Sequence, residues 1–178
     1  KSEDGGVTWI AQESGTLNTG IWWAVRFTDA LTGWVGGAAN EIAMTEDGGT
    51  TWTAVTGPAA QAADDVLALA VIDKYTIWLG YDDGQLWYTT NGGTAWAQRT
   101  LPVAAASIVD LSFVNELVGF LVYNTGGGAG GVLRTIDGGY TWETVSVPTT
   151  GEFAAIHVCG INDAFVVGEV DGITAIVL

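Results

Sequence analysis

One eight-residue motif recurs four times along the chain, and its spacing constrains the fold more than any other feature. It reads SEDGGVTW at residues 2–9, TEDGGTTW at 45–52, TTNGGTAW at 89–96 and TIDGGYTW at 135–142. The closing tryptophans, Trp9, Trp52, Trp96 and Trp142, fall 43, 44 and 46 residues apart. A period of about 40–50 residues marks arrays of one supersecondary unit, each copy burying its apolar face on the next. The step also carries across the termini: 36 residues follow Trp142 and Trp9 is the ninth residue. The 178 residues therefore equal four whole repeats, with the cut inside one of them.

Each repeat holds four strand signals. The first strands align as residues 22–27, 66–71, 108–113 and 153–158. Within them Val25, Leu69, Leu111 and Ile156 form one apolar column, and Phe27, Val71, Phe113 and Val158 form another two residues on. Period two places both columns on one face of a sheet. The intervening positions are small or polar: Ala24, Ala68, Asp110 and Ala155, then Arg26, Ala70, Ser112 and His157. Second strands are expected at 33–36, 77–80, 119–122 and 165–168, each followed by a turn. A third strand runs into the motif and a fourth leaves it. Four antiparallel strands per repeat make one propeller blade. The reading is an all-β chain, a single domain over residues 1–178, folded as a β-propeller of four four-stranded blades. We expect residues 173–178 to pair beside the strand that begins at Lys1 and close the ring. The alternative is a segment of a larger propeller.

The motif explains itself as a hairpin. Its two glycines permit positive φ in a tight turn. The aspartate accepts backbone N–H groups of that turn, the leading Ser or Thr does likewise, and the tryptophan buries its ring. Asp4, Asp47, Asn91 and Asp137 are therefore structural, as are Trp9, Trp52, Trp96 and Trp142, all four of which are expected to be buried. The third copy has Asn91 for Asp and Ala95 for Thr, so it should be the weakest hairpin.

The pattern S/T-x-D-G-G-x-T-W resembles the Asp-box, or bacterial neuraminidase repeat, over the whole chain. Families with such repeats include sialidases, other glycoside hydrolases, sortilin-type receptors and photosystem II assembly factors. The fuller pattern Phe-x-Asp, Gly-Trp-x-x-Gly, Thr-x-Asp-Gly-Gly-x-Thr-Trp is most similar to the assembly-factor group and its bacterial and viral relatives. The resemblance implies boxes on the rim, away from any active site, and an extracellular or virion-associated setting.

Catalytic constellations are hard to find. A sialidase-like site needs three converging arginines, but Arg26, Arg99 and Arg134 occupy first, fourth and third strands. A glycosidase needs two facing carboxylates. Asp110 lies on a first strand, and its counterparts are Ala24, Ala68 and Ala155. One histidine and one cysteine exclude a structural zinc site. Asp64, Asp65, Asp82 and Asp83 could offer loop oxygens to Ca²⁺, though solvated turn acids are the simpler reading. The glycine run at 126–131 lacks the Lys-Ser/Thr of a phosphate loop and reads as an elongated hairpin turn. Cys159, in an apolar run, is expected to be a small core residue.

The formal charge of −15 excludes nucleic acid and anionic membranes as partners, since both need a cationic surface. No run of about 18 apolar residues spans a membrane. No signal peptide is visible and there is no initiator Met, so a mature form or a domain of a longer protein is expected. The expected role is a non-catalytic structural or protein-interaction module. The partner is a protein or larger assembly, no cofactor or metal is called for, and a carbohydrate-binding adhesin is the alternative. A sialidase-like glycoside hydrolase ranks third. Candidate binding residues are Trp22, Trp23, Tyr81 and Tyr123 near strand ends, with a central polar group of Arg26, Asp110 and His157. That group is either a ligand pocket or local pairing of polar side chains.

Overall fold

A computed structural model describes residues 1–12, 20–147, 151–170 and 173–174. The first sheet holds β1 (Trp22–Phe27), β2 (Gly33–Gly37), β3 (Ile42–Thr45) and β4 (Thr53–Val55). The second holds β5 (Val66–Val71), β6 (Ile77–Tyr81), β7 (Leu86–Thr89) and β8 (Ala97–Arg99). The third holds β9 (Ser107–Phe113), β10 (Gly119–Asn124), β11 (Gly130–Thr135) and β12 (Glu143–Val145). The fourth holds β13 (Glu152–Gly160), β14 (Asp163–Val170) and β15 (Ile173–Thr174). Each sheet is an antiparallel meander in chain order. Three sheets have four strands, and the fourth has three among the described residues.

Consecutive sheets pack face to face through their first strands, β1 on β5, β5 on β9 and β9 on β13. Trp34 and Ile42 of sheet one meet Leu69, Leu79 and Tyr81 of sheet two. Ala68, Trp78 and Leu86 of sheet two meet Ile108, Leu111 and Leu133 of sheet three. Phe120, Val122 and Val132 of sheet three meet Phe153, Ile156 and Val166 of sheet four. Every sheet thus has a leading face, which receives the preceding sheet, and a trailing face, which covers the next. Full burial of a Leu or Ile in these columns contributes about 1.5–3 kcal/mol.

Strand pairing moves one expected alignment. Val25 pairs with Val35 and Arg26 with Trp34 in sheet one. Ile156 pairs with Val166 and His157 with Phe165 in sheet four. The fourth second-strand repeat therefore spans 164–167, one residue earlier than the sequence alignment puts it. Phe165 joins Trp34, Trp78 and Phe120 in an aromatic column on the trailing faces. Because side chains alternate, a one-residue slip exchanges the two faces of the strand.

The motif hairpins, called boxes below, form as their chemistry dictates. In the second box the Asp47 carboxylate accepts Thr51 N–H at 2.8 Å and the Thr51 hydroxyl at 2.6 Å. Thr45 Oγ1 accepts Gly49 N–H at 2.9 Å and donates to Asp47 Oδ1 at 2.9 Å. Gly48 and Gly49 take positive φ, as do their counterparts in the other boxes. The bonds hold both Asp4 and Asp47 down at about 2, and the Thr8 and Thr51 hydroxyls are the largest cause. The third box keeps the Asn91 bond to Ala95 N–H at 2.9 Å, while Ala95 has no hydroxyl to donate.

Burial of the box tryptophans departs from expectation. Trp52 and Trp142 are buried, at 7% and 5% exposure, and Trp96 is half-buried, but Trp9 is 75% exposed. Trp142 sits edge-on to Trp78 and Phe113, with ring centroids 6.2 and 6.1 Å away. Among the described residues, no aromatic ring packs on Trp9 in this way. Cys159 is exposed, because its position on β13 falls on the solvent side of the alternation.

The expected ring closure falls partly on residues 175–178, which lie outside those described. Among the described residues, β15 pairs with β14, and the main chain of Lys1 pairs with Ile10. Val25 and Phe27 on the leading face of sheet one are 51% and 45% exposed. Phe165 on the trailing face of sheet four is 50% exposed.

Candidate functional site

The polar positions of the first strands converge at the centre. Arg26 Nη2 donates to Asp110 Oδ1 at 3.1 Å, across from sheet one to sheet three. Asp110 Oδ1 also accepts Leu111 N–H at 2.9 Å, and Oδ2 accepts Ile156 N–H of sheet four at 3.0 Å. One carboxylate thus ties three sheets together. β13 has an irregular register between Phe153 and Ala155, just before the Ile156 that bonds Asp110. The half-exposed ion pair is worth under about 1 kcal/mol, while the bond to an otherwise unpaired strand N–H matters more. His157, next along β13, is exposed and points away from Asp110 by strand alternation.

The three arginines do not converge. Arg99 donates to the Tyr88 hydroxyl at 2.7 Å and lies over the Tyr88 and Tyr140 rings at 4.2 and 4.5 Å. Arg134 donates to Ile161 O at 3.0 Å. Each guanidinium has its own partners on a different strand, so no carboxylate-binding triad forms from them.

The strand-end aromatics share one side of the molecule, opposite the boxes, but not one role. Trp23 is exposed, while Trp22 and Tyr123 are half-buried. Tyr81 is fully buried and cannot serve as a surface contact. Its hydroxyl donates to Asn40 Oδ1 at 2.6 Å, and burial pushes its ionisation far above the usual range. The expectation failed because Tyr81 ends β6 on the face of sheet two that meets sheet one, where Asn40 of the β2–β3 connection covers it. Asn40 escaped sequence reading altogether. It holds positive φ, donates from Nδ2 to Pro58 O at 2.9 Å and accepts Tyr81. Asn124 does a related task in sheet three, where Oδ1 accepts Phe153 N–H at 2.9 Å. An Asn after a second strand is the available sequence signal for such a stitch.

Two acidic groups lie on this same side. Asp82 Oδ1 accepts Asp65 N–H at 2.9 Å and Asp65 Oδ1 accepts Ala39 N–H at 3.0 Å, so these carboxylates are spent on loop backbone. Asp64 is raised by burial and by Asp83, Asp82 and Asp65. Among the described residues no group of His, Cys, Asp or Glu is arranged to hold a metal ion. Glu152 and Glu169 stand directly opposite across β13 and β14. Both are exposed, on an open groove of about 460 Å³ shared with Phe153 and Val167.

No protein-family model and no curated protein sequence matches the chain. Solved structures do. YCF48 bound to D1 peptide aligns at a TM-score of 0.65 and 22% identity, over 76% of this chain and 42% of that one. The GH74 enzyme of Niastella koreensis aligns at 0.64 and 20% identity, over 82% of this chain and 26% of that one. The GH74 xyloglucanase of Xanthomonas campestris aligns at 0.64 and 16% identity, over 80% of this chain and 26% of that one. The chain spans less than half the length of each. At these identities the likeness shows the fold alone: the chain is an all-β protein of the β-propeller class.

Proposed function

We propose that the chain is a non-catalytic module that binds a protein partner through the side opposite its boxes. The observation that carries this reading is the state of Asp110. Both of its oxygens are occupied, by Arg26, Leu111 N–H and Ile156 N–H. A general acid or nucleophile would need a free oxygen and a second carboxylate across the scissile bond. The side opposite the boxes instead carries the exposed Trp23 and, elsewhere on the same side, acidic loops, a surface suited to a peptide with basic and apolar residues. The similar YCF48 is a protein that takes a peptide. The acidic, lysine-poor composition suits an extracellular or virion setting. A pull-down on arrays of basic and acidic peptides, repeated with Trp23→Ala, tests it. Retention of basic peptides that Trp23→Ala weakens at least tenfold supports the reading.

A second reading, glycan binding, draws on the exposed Trp23, whose ring could stack on a sugar. A glycan array separates the two. Turnover of any fluorogenic glycoside that Asp110→Ala or Glu152→Gln abolishes would replace both with an enzyme.

A further inference from the structure

The turns between first and second strands lie on the box side, and those of sheets one, two and three are built alike. Asp29, Asp73 and Asn115 each accept two backbone N–H groups of their own turn on a side-chain oxygen, at 2.7–2.9 Å. The donors are Leu31 and Thr32, Tyr75 and Thr76, and Leu117 and Val118. The carbonyls of Leu31, Tyr75 and Leu117 then accept the N–H of Gly48, Gly92 and Gly138, the first glycine of the same sheet's box, at 2.8–3.0 Å. Each turn thus locks one large apolar residue at the same place. Its side chain leans over that glycine: Leu31 Cδ2, Tyr75 Cδ1 and Leu117 Cδ2 come within 3.6–3.9 Å of where a Cβ would stand. Covering a glycine occupies one edge of the side chain, and all three residues remain more than half exposed. One exposed apolar residue is ordinary on a surface, but the same rigid placement in three sheets is a pattern.

Where sheets one and two meet on this side, the gap from turn to box is spanned within the chain. Lys74 Nζ reaches Glu46 Oε1 at 3.9 Å and lies over the Tyr75 ring at 4.7 Å. Counted from the turn and from the box, the same positions at the junction of sheets two and three hold Glu116 and Thr90. No lysine stands there, and Glu116 has no ion-pair partner among the described residues. An open groove of about 450 Å³ lies at that place, lined by Ile72, Asn115, Glu116 and Leu117. It combines two aliphatic side chains with an unpaired carboxylate. That combination matches a lysine or arginine, whose stem packs on apolar surface while its head meets a carboxylate.

We propose that the box side is a second docking surface, separate from the side that carries Trp23, and that it takes a segment of a partner protein in which Lys or Arg alternates with large apolar side chains. One cationic side chain fills the groove, with its stem on Ile72 and Leu117 and its head on Glu116. Apolar neighbours in the segment rest on Leu117 and Tyr75. Backbone bonds hold the turns before any partner arrives, so little ordering entropy is lost on docking. The formal charge of −15 draws such a segment in and rejects acidic ones, and added salt weakens the complex.

The test is a fluorescence-anisotropy titration of the protein with a short dye-labelled peptide of alternating leucine and lysine. Leu117→Ser should weaken binding by about tenfold or more, as for an anchor at the centre of a contact. Glu116→Gln should weaken it about threefold, the size of an exposed ion pair, and should flatten the salt dependence. Trp23→Ala should leave it unchanged, which separates this surface from the opposite side. Leu117 and Glu116 are both exposed, and thermal unfolding checks that the variants stay folded. Equal binding by the Leu117→Ser protein would overturn the proposal. So would no binding at all, loss on Trp23→Ala alone, or equal affinity for a serine–lysine peptide of the same charge, which would show attraction without a site.

Discussion

The boxes at residues 2–9 and 135–142 make the same internal bonds and end on tryptophans in opposite surroundings. Asp4 accepts Thr8 N–H at 2.9 Å and its hydroxyl at 2.6 Å; Asp137 accepts Thr141 N–H and hydroxyl at the same two distances. Yet Trp9 faces solvent, where its Nε1 donates to Gly6 O at 3.1 Å. Trp142 is packed on Trp78 and Phe113, and its Nε1 has no hydrogen-bond partner. The difference teaches that the hairpin is a local object, assembled from eight residues, while burial of its tryptophan is a property of the neighbouring sheet. In the buried boxes, ring packing is favoured over the indole hydrogen bond, which the exposed box keeps.

Truncating the rings gives the widest separation. Trp142→Ala and Trp52→Ala should each cost about 3–5 kcal/mol in chemical denaturation, from lost packing and the cavity left behind. Trp9→Ala should stay within about 0.5 kcal/mol. Equal losses at Trp9 and Trp142 would break the comparison.

Glycine substitution sharpens it with backbone strain held constant. Gly6 and Gly139 both have positive φ, at 92° and 80°. A Cβ at Gly139 would run into the Trp78 ring, whereas at Gly6 its nearest neighbour is Trp9 at 4.0 Å. Gly6→Ala should cost about 1 kcal/mol for the strained conformation alone. Gly139→Ala should cost about 2–4 kcal/mol, because overpacking is added. Urea midpoints of the two variants decide between these values.

A smaller gain tests the local half of the argument. Asn91→Asp with Ala95→Thr restores the missing hydroxyl-to-carboxylate bond of the third box and should add about 0.5–1.5 kcal/mol. A null result would mean that Asn91 already supplies all that the turn requires.

The smallest difference expected is none. Carboxyl NMR titration should find Asp4 and Asp47 both titrating near 2, although only the second box has a buried tryptophan. Their folded values lie below the unfolded one near 3.9. Their contribution is therefore present in full above about pH 4 and is lost as pH falls through about 2. A clear gap between the two aspartates would show that the neighbouring sheet reaches the carboxylate as well as the ring.

How far the fold was legible follows from these same residues. The glycines, aspartates and hydroxyls of the boxes act on atoms within four residues, so the hairpins could be read from spacing alone. The apolar columns of the first strands were equally plain, because period two is a local property of the strand. The middle of the candidate site was half legible. Arg26, Asp110 and His157 sit at polar positions of inner strands, but nothing in the sequence says that Arg26 reaches Asp110 while His157 turns away. Tyr81, Cys159 and Trp9 were each misplaced, the first to the surface and the other two to the core.

The sequence by itself determined the repeat, its four-strand unit, its turn chemistry and the two apolar columns on one face of the first strands. All of these rest on interactions between residues close along the chain. The tertiary structure alone decided which copies of a shared motif are buried and where the second strand of sheet four begins. It also decided that Asn40 and Asn124 stitch neighbouring sheets. These depend on which sheet stands next to which, and a repeat gives every copy the same local instructions. Only the packing of unlike neighbours tells Trp9 from Trp142.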